Sequence, residues 1–113
     1  MIRKMTITLD HDGYPTDASL IEIERAKWVD AAAVLDAVKA AWHWQDFATH
    51  DLTVCESSVV HVMDGELFLR LSTGGWSGNE SLVKALMKSE VGKLTWALKA
   101  RGGLWIFRYP RIT

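Results

Sequence analysis

Cysteine is almost missing: Cys55 is the single thiol in 113 residues. One thiol excludes an internal disulfide and leaves no thiolate set for a structural zinc, which fits a reducing cytosol. An excess of one charge sign is also missing. The formal net charge is −1, so no global field draws the chain to nucleic acid or anionic lipid, and any anion site has to be a local cluster. Long apolar runs are absent. No segment approaches a membrane span, and the opening Met1-Ile2-Arg3-Lys4-Met5-Thr6 is too polar for a signal peptide. No linker, repeat or low-complexity tract divides the chain, so residues 1–113 read as a single domain in the cytoplasm. A chain of this length buries roughly two-thirds of its unfolded surface and needs no metal to hold together.

Tryptophan, by contrast, is abundant. Six stand in the chain: Trp28, Trp42, Trp44, Trp76, Trp96 and Trp105. Each buries a large area and needs a partner for its indole N–H. Some belong to a core, and at least one is expected to line a binding surface.

Periodicity supplies the elements. Met5, Ile7 and Leu9 alternate with Lys4, Thr6 and Thr8, which predicts a half-buried strand ended by the turn cluster Asp10 to Pro15. Thr16 or Asp17 caps a first helix carrying Leu20 and Ile23. A second helix from Asp30 carries the stripe Val34, Leu35, Val38, Ala41 and Trp42. Trp44 to Thr53 lacks a period and reads as a loop. Val59 to Leu71 reads as a hairpin turning at Asp64-Gly65. Ser77-Gly78-Asn79-Glu80 has the form of a capping box opening a helix with Leu82, Val83, Leu86 and Met87. Beyond Gly92 a further helix with Leu94, Ala97 and Leu98 is expected to stop at Gly102-Gly103. Leu104 to Tyr109 closes the chain as a strand, with Arg108 opposite Trp105 and Phe107. The order β-α-α-β-β-α-α-β predicts an α+β fold: an antiparallel sheet of about four strands with helices packed on one face.

Chemistry concentrates at one place. Ser72 to Glu80 sets Gly74, Gly75 and Gly78 around Trp76, with Ser77, Asn79 and Glu80 at a helix start. Glycines allow tight turns and close approach, and a helix start offers unpaired N–H groups. Arg70 precedes this loop, and Arg101 precedes Gly102 and Gly103. If the final strand pairs near the hairpin, these guanidinium groups converge on the loop, where they suit phosphate recognition. Trp76 then stacks on a base. The competing account is that Trp76 folds back on its helix and the arginines are solvated. Other chemistries fare worse. His43, His50, His61, Asp46 and Asp51 lack ligand spacing for a metal. Cys55 with His50 or His61 lacks an orienting third group, and Ser77 lacks the surroundings of a nucleophile elbow. The sequence therefore predicts no catalytic residues, no metal and no cofactor.

Gly74-Gly75-Trp76-Ser77-Gly78-Asn79-Glu80, followed by Trp96 and by Arg101-Gly102-Gly103 before a closing aromatic strand, resembles a group of small tailed-phage and prophage proteins. Leu104-Trp105 departs from that pattern, which more often shows His or Tyr and then a β-branched residue. The resemblance implies a phage accessory protein in the bacterial host cytoplasm, acting against host anti-phage defence. The leading expectation is a non-enzymatic protein that binds a small anionic, nucleotide-type ligand, an immune signal it sequesters, through Arg70, Gly74, Gly75, Trp76, Ser77, Gly78, Asn79, Glu80, Arg101, Gly102 and Gly103. The alternative is an inhibitor that docks on a host or defence protein through aromatic residues of the sheet. An apolar sheet face would also suit a homo-oligomer. An enzyme using Glu80 as a base is the weakest reading.

Overall fold

The computed structural model describes residues 5–43, 48–51 and 67–110. Helices α1 (Asp17–Glu24), α2 (Ala31–Ala41), α3 (Ser77–Lys88) and α4 (Glu90–Thr95) accompany strands β1 (Ala48–Asp51), β2 (Phe68–Ser72), β3 (Trp96–Ala100) and β4 (Leu104–Arg108). A 3-10 turn, Trp28–Asp30, leads into α2. The strands form one antiparallel sheet in the order β1-β2-β4-β3. The fold is α+β, as the sequence predicts. No helix among the described residues is long and apolar enough to cross a membrane.

The helices cover one face of the sheet. Leu69 and Leu71 of β2 and Phe107 of β4 point to that face and are buried with Val34, Leu35 and Val38 of α2, Leu82 and Leu86 of α3, and Val91 of α4. Each such side chain contributes about 1.5–3 kcal/mol by leaving water. The predicted stripe of α2 is buried throughout, including Trp42, whose indole N–H donates to the Ser72 carbonyl at 2.9 Å. On the other face, Phe68 and Ile106 form a smaller cluster with Ala97, Leu98 and Leu104. Arg108 lies on that face too, 5.4 Å from the Phe68 ring centroid and away from Trp105 and Phe107 as expected.

Four expectations need correction. The N-terminal strand does not form over residues 5–9; a single bridge joins Leu9 to Pro15. Its backbone bonds go elsewhere. The Thr8 N–H donates to the Ser19 hydroxyl at 2.8 Å, and the Thr8 carbonyl accepts from Thr16 at 2.9 Å. The segment is thus tied to the start of α1, where Thr16 caps the helix as predicted. Within the expected 44–53 loop, Ala48–Asp51 pairs with Leu71–Phe68 as β1. The pairing is non-local, so local periodicity carries no sign of it.

The helix expected after Gly92 is the third correction. α4 ends at Thr95, and Trp96 starts β3 directly. Leu94, Ala97 and Leu98 match a helical stripe, but pairing with β4 overrides it, and Gly102-Gly103 turns a β3–β4 hairpin instead of ending a helix. Both glycines have positive φ, 82° and 79°, which that turn requires. Last, the capping box is not made: Trp76 occupies the cap position of α3 without a side-chain bond. The cap device appears one helix later, where the Ser89 hydroxyl donates to Leu86 O at 2.6 Å and accepts from Gly92 N at 3.0 Å. The Val59–Met63 arm and the Asp64-Gly65 turn lie outside the described residues, as do Cys55, His61 and Asp46.

Candidate functional site

The chain leaves β2 at Thr73 and turns through Gly74 and Gly75, whose φ values of 63° and 77° exclude most side chains. The Trp76 N–H closes this turn on the Thr73 carbonyl at 3.1 Å. Thr73 also reaches across the sheet end. Its N–H donates to the Gly103 carbonyl at 3.0 Å, and a Cβ on Gly103 would stand 2.1 Å from the Thr73 hydroxyl. The two glycine segments, distant in sequence, therefore meet.

Trp76 turns away from that meeting point. Its ring contacts Tyr14, at 4.6 Å and 33°, and stacks on His43, at 4.3 Å and 25°. Gly78 lies beneath it, so close that a Cβ would come within 2.1 Å of the ring. The Ser77 hydroxyl donates to Tyr14 Oη at 3.2 Å. Asn79 is fully buried. Its Oδ1 accepts from His43 N at 2.9 Å, and its Nδ2 donates to the carbonyls of His43 at 3.0 Å and Thr73 at 3.2 Å. Trp76, Ser77, Gly78 and Asn79 thus fasten the start of α3 to the Asp10–Pro15 turn and to the end of α2. The indole packs against two protein rings and its own helix start, which is the fold-back arrangement.

The other side of the loop opens on a cleft of about 690 Å³ between α3 and the β3–β4 hairpin. Gly75, Glu80, Gly102 and Gly103 line it, together with Lys84, Lys88 and Lys99, which the sequence did not single out, and with Met87 of the predicted helix stripe and Trp105 of the aromatic strand. Val83 and Thr73 complete the lining. Gly74 and Arg101 are exposed on the adjoining turns without lining the cleft. Arg70 lies on the far face of the sheet, opposite Ile106, and does not converge with Arg101 on the loop.

The lining carries three lysines against one glutamate, a surplus of two positive charges. Lys99 Nζ stands 4.9 Å from the Trp105 ring centroid, and Trp105 lies parallel to Phe107 at 6.3 Å. Lys88 pairs with Glu24 of α1 at 3.4 Å in an exposed position, a contact worth little in water. A second cavity, of about 380 Å³, lies between α1 and α2, where Arg25 and Lys27 balance Glu22 and Asp30. It has no charge preference. Among the described residues, no group of three His, Cys, Asp or Glu could hold a metal ion. Tyr109 does not line the cleft. Burial raises its pKa, and its 2.7 Å hydrogen bond to Asp36 raises it further.

Lys84 and Lys88 were legible as the outer face of α3 but resemble any solvated lysine pair. Trp105 was legible as a candidate aromatic, but its place beside Lys99 was hidden because the β3–β4 pairing that brings them together is tertiary. Comparison with protein-family models, with curated proteins and with solved structures gives no match.

Proposed function

We propose that this protein is a non-enzymatic binding protein whose cleft takes a small organic anion with a flat or apolar body, nucleotide-like in size. The observation that carries the reading is that Lys84, Lys88 and Lys99 line one cleft beside two glycine turns, with Lys99 Nζ 4.9 Å from the Trp105 ring centroid. A volume of about 690 Å³ suits a ligand of that size. Val83, Met87 and Trp105 offer the apolar wall, and the lysines offer point charges for phosphate or carboxylate. Gly75 and Gly103 let a ligand approach the backbone closely. Glu80 adds one acceptor, so the cleft favours an anion that also carries an N–H donor, as an amino-bearing base does.

In this reading Trp105 replaces Trp76 as the platform, and lysines replace Arg70 and Arg101. The resemblance to small phage proteins supplies a role: an accessory protein that sequesters a nucleotide-type signal of host defence. The alternative, docking on a host protein through sheet aromatics, loses Phe68, Phe107 and Tyr109, which are buried.

Calorimetry against cyclic di- and trinucleotides, ADP-ribose derivatives and simple mononucleotides tests the proposal. We expect one ligand class to bind tighter than about 1 mM, or −4.1 kcal/mol, and Lys99→Ala or Lys84→Ala to weaken it. Binding weaker than that across the panel, or binding indifferent to both substitutions, refutes the cleft as an anion site.

A further inference from the structure

The cleft has two unlike ends. Glu80, Val83, Lys84, Met87 and Lys88 line it at i, i+3, i+4, i+7 and i+8 along α3, so one helix face forms a whole wall. From Glu80 to Lys88 that wall runs about 12 Å, at about 1.5 Å per residue. The charge order along it is carboxylate, ammonium, ammonium. β2 ends at Ser72, which pairs with Leu104 beside the β3–β4 turn, and the Thr73 N–H donates to the Gly103 carbonyl at 3.0 Å. The start of α3, and Glu80 with it, therefore marks the end of the cleft at the glycine turns. Lys99 and Trp105 pair one residue farther from the hairpin turn than Ala100 and Leu104.

The glycine end does not suit a phosphate. Its loop amides are already committed: the Gly75 N–H donates to Thr73 Oγ1 at 3.4 Å, and the Trp76 N–H to the Thr73 carbonyl at 3.1 Å. Glu80 adds a negative charge there, which repels an anion and accepts from a donor. The lysine end is the reverse. Among the described residues no carboxylate pairs with Lys84 or Lys99. Lys88 does pair with Glu24, at 3.4 Å, but the contact is exposed and weak in water. A multiply charged phosphate competes for Lys88 with a stronger, charge-assisted bond.

We propose that the ligand is a nucleoside diphosphate held in one direction. Its amino-bearing base edge meets Glu80 beside the glycine turns, and its two linked phosphates lie at the lysine end, the first between Lys84 and Lys99 and the second at Lys88. The inference rests on the reading of the cleft as an anion site and adds a direction and a phosphate number to it. Lys84 and Lys88 stand one helical turn apart, with Cβ atoms about 5–6 Å from each other, so both ammonium groups reach one diphosphate. The wall is as long as an extended nucleoside diphosphate. A monophosphate leaves Lys88 on Glu24, and a base without an N–H leaves Glu80 without a donor.

Calorimetry with adenosine diphosphate, adenosine monophosphate and the diphosphate of unsubstituted purine riboside, whose base has no N–H, tests it. We expect adenosine diphosphate to bind roughly tenfold tighter than either of the other two. Lys88→Ala should erase the preference over the monophosphate by weakening the diphosphate alone. Glu80→Ala should erase the preference over the unsubstituted base. Both positions are exposed, and unchanged far-UV circular dichroism checks that the variants fold. Equal affinity for one and two phosphates, a diphosphate preference that survives Lys88→Ala, or a base preference that survives Glu80→Ala overturns the proposal. In each of those cases an affinity dependent on Lys84 or Lys99 leaves the anion site standing. Binding weaker than about 1 mM throughout removes the site and the direction together.

Discussion

Gly78→Ala is the substitution that separates a structural tryptophan from a ligand platform. Gly78 is the second residue of α3, and in a helix alanine ordinarily outperforms glycine by roughly 0.8–1.0 kcal/mol. Propensity alone therefore predicts a gain. Geometry predicts a loss, because the added methyl carbon would stand 2.1, 2.4 and 2.7 Å from three atoms of the Trp76 ring. The ring cannot slide sideways cheaply, since Tyr14 and His43 flank it. Moving it forfeits two aromatic contacts at about 0.5–1.5 kcal/mol each, and overpacking adds its own strain of about 1–3 kcal/mol. After the propensity gain is subtracted, Gly78→Ala costs about 1–5 kcal/mol.

A double-mutant cycle makes the sign decisive. In a Trp76→Ala background the clash is gone, so Gly78→Ala becomes neutral or stabilising by up to about 1 kcal/mol. Urea unfolding followed by far-UV circular dichroism measures all four proteins without relying on the altered indole signal. If Gly78→Ala stabilises the wild type, or destabilises both backgrounds equally, Trp76 is not wedged over Gly78 and its rejection as a ligand platform fails.

Further outcomes follow from the same contacts. Asn79→Ala strands His43 N, His43 O and Thr73 O in a part-buried site, and we expect a loss of about 2–4 kcal/mol in the same urea assay. Gly92→Ala sets a Cβ 1.9 Å from the Leu86 carbonyl, a clash with rigid backbone, and is expected to cost more than Gly102→Ala. At Gly102 there is open space and the left-handed φ alone costs about 1–2 kcal/mol. Burial, and then the Asp36 contact, raise the Tyr109 pKa in the fold. The stability it contributes is thus complete below the unfolded phenol value, about 10, and is lost as pH rises above it. Thermal melts from neutral to alkaline pH should show this fall, and Tyr109→Phe should flatten it.

The parts of the fold legible in the sequence are those whose partners are local. The α2 stripe from Val34 to Trp42 and the Thr16 cap announce themselves within a few residues. Leu69 and Leu71 alternate with Phe68 and Arg70, which was enough to orient β2. The misread segments share one physical property. β1, β3 and the residues from Met5 to Leu9 are decided by what lies across from them in space. Leu94, Ala97 and Leu98 satisfy a helical period, and no local signal shows that Phe107, Ile106, Trp105 and Leu104 await Trp96 to Ala100 as pairing partners. The same blindness displaced the candidate site. Glycine spacing led to the loop that borders the cleft but not to the side of it that opens outward.

That loop joins two tasks. On one side Asn79 and Trp76 hold it to α2 and to the N-terminal turn; on the other Gly75 and Gly103 border the cleft. Thr73 belongs to both sides, since its carbonyl accepts from buried Asn79 while its N–H donates to Gly103. A disturbance at Asn79 therefore reaches the hairpin turn through one residue, without any movement of the lysines. It follows that Asn79→Ala, besides lowering stability, should weaken ligand binding in the cleft although Asn79 does not line it. Lys99→Ala should weaken binding while leaving stability nearly intact. Calorimetry and urea unfolding on the same two variants distinguish the effects. Equal losses of affinity and stability in both would mean that the cleft and the aromatic staple are one cooperative unit, with no separate binding wall.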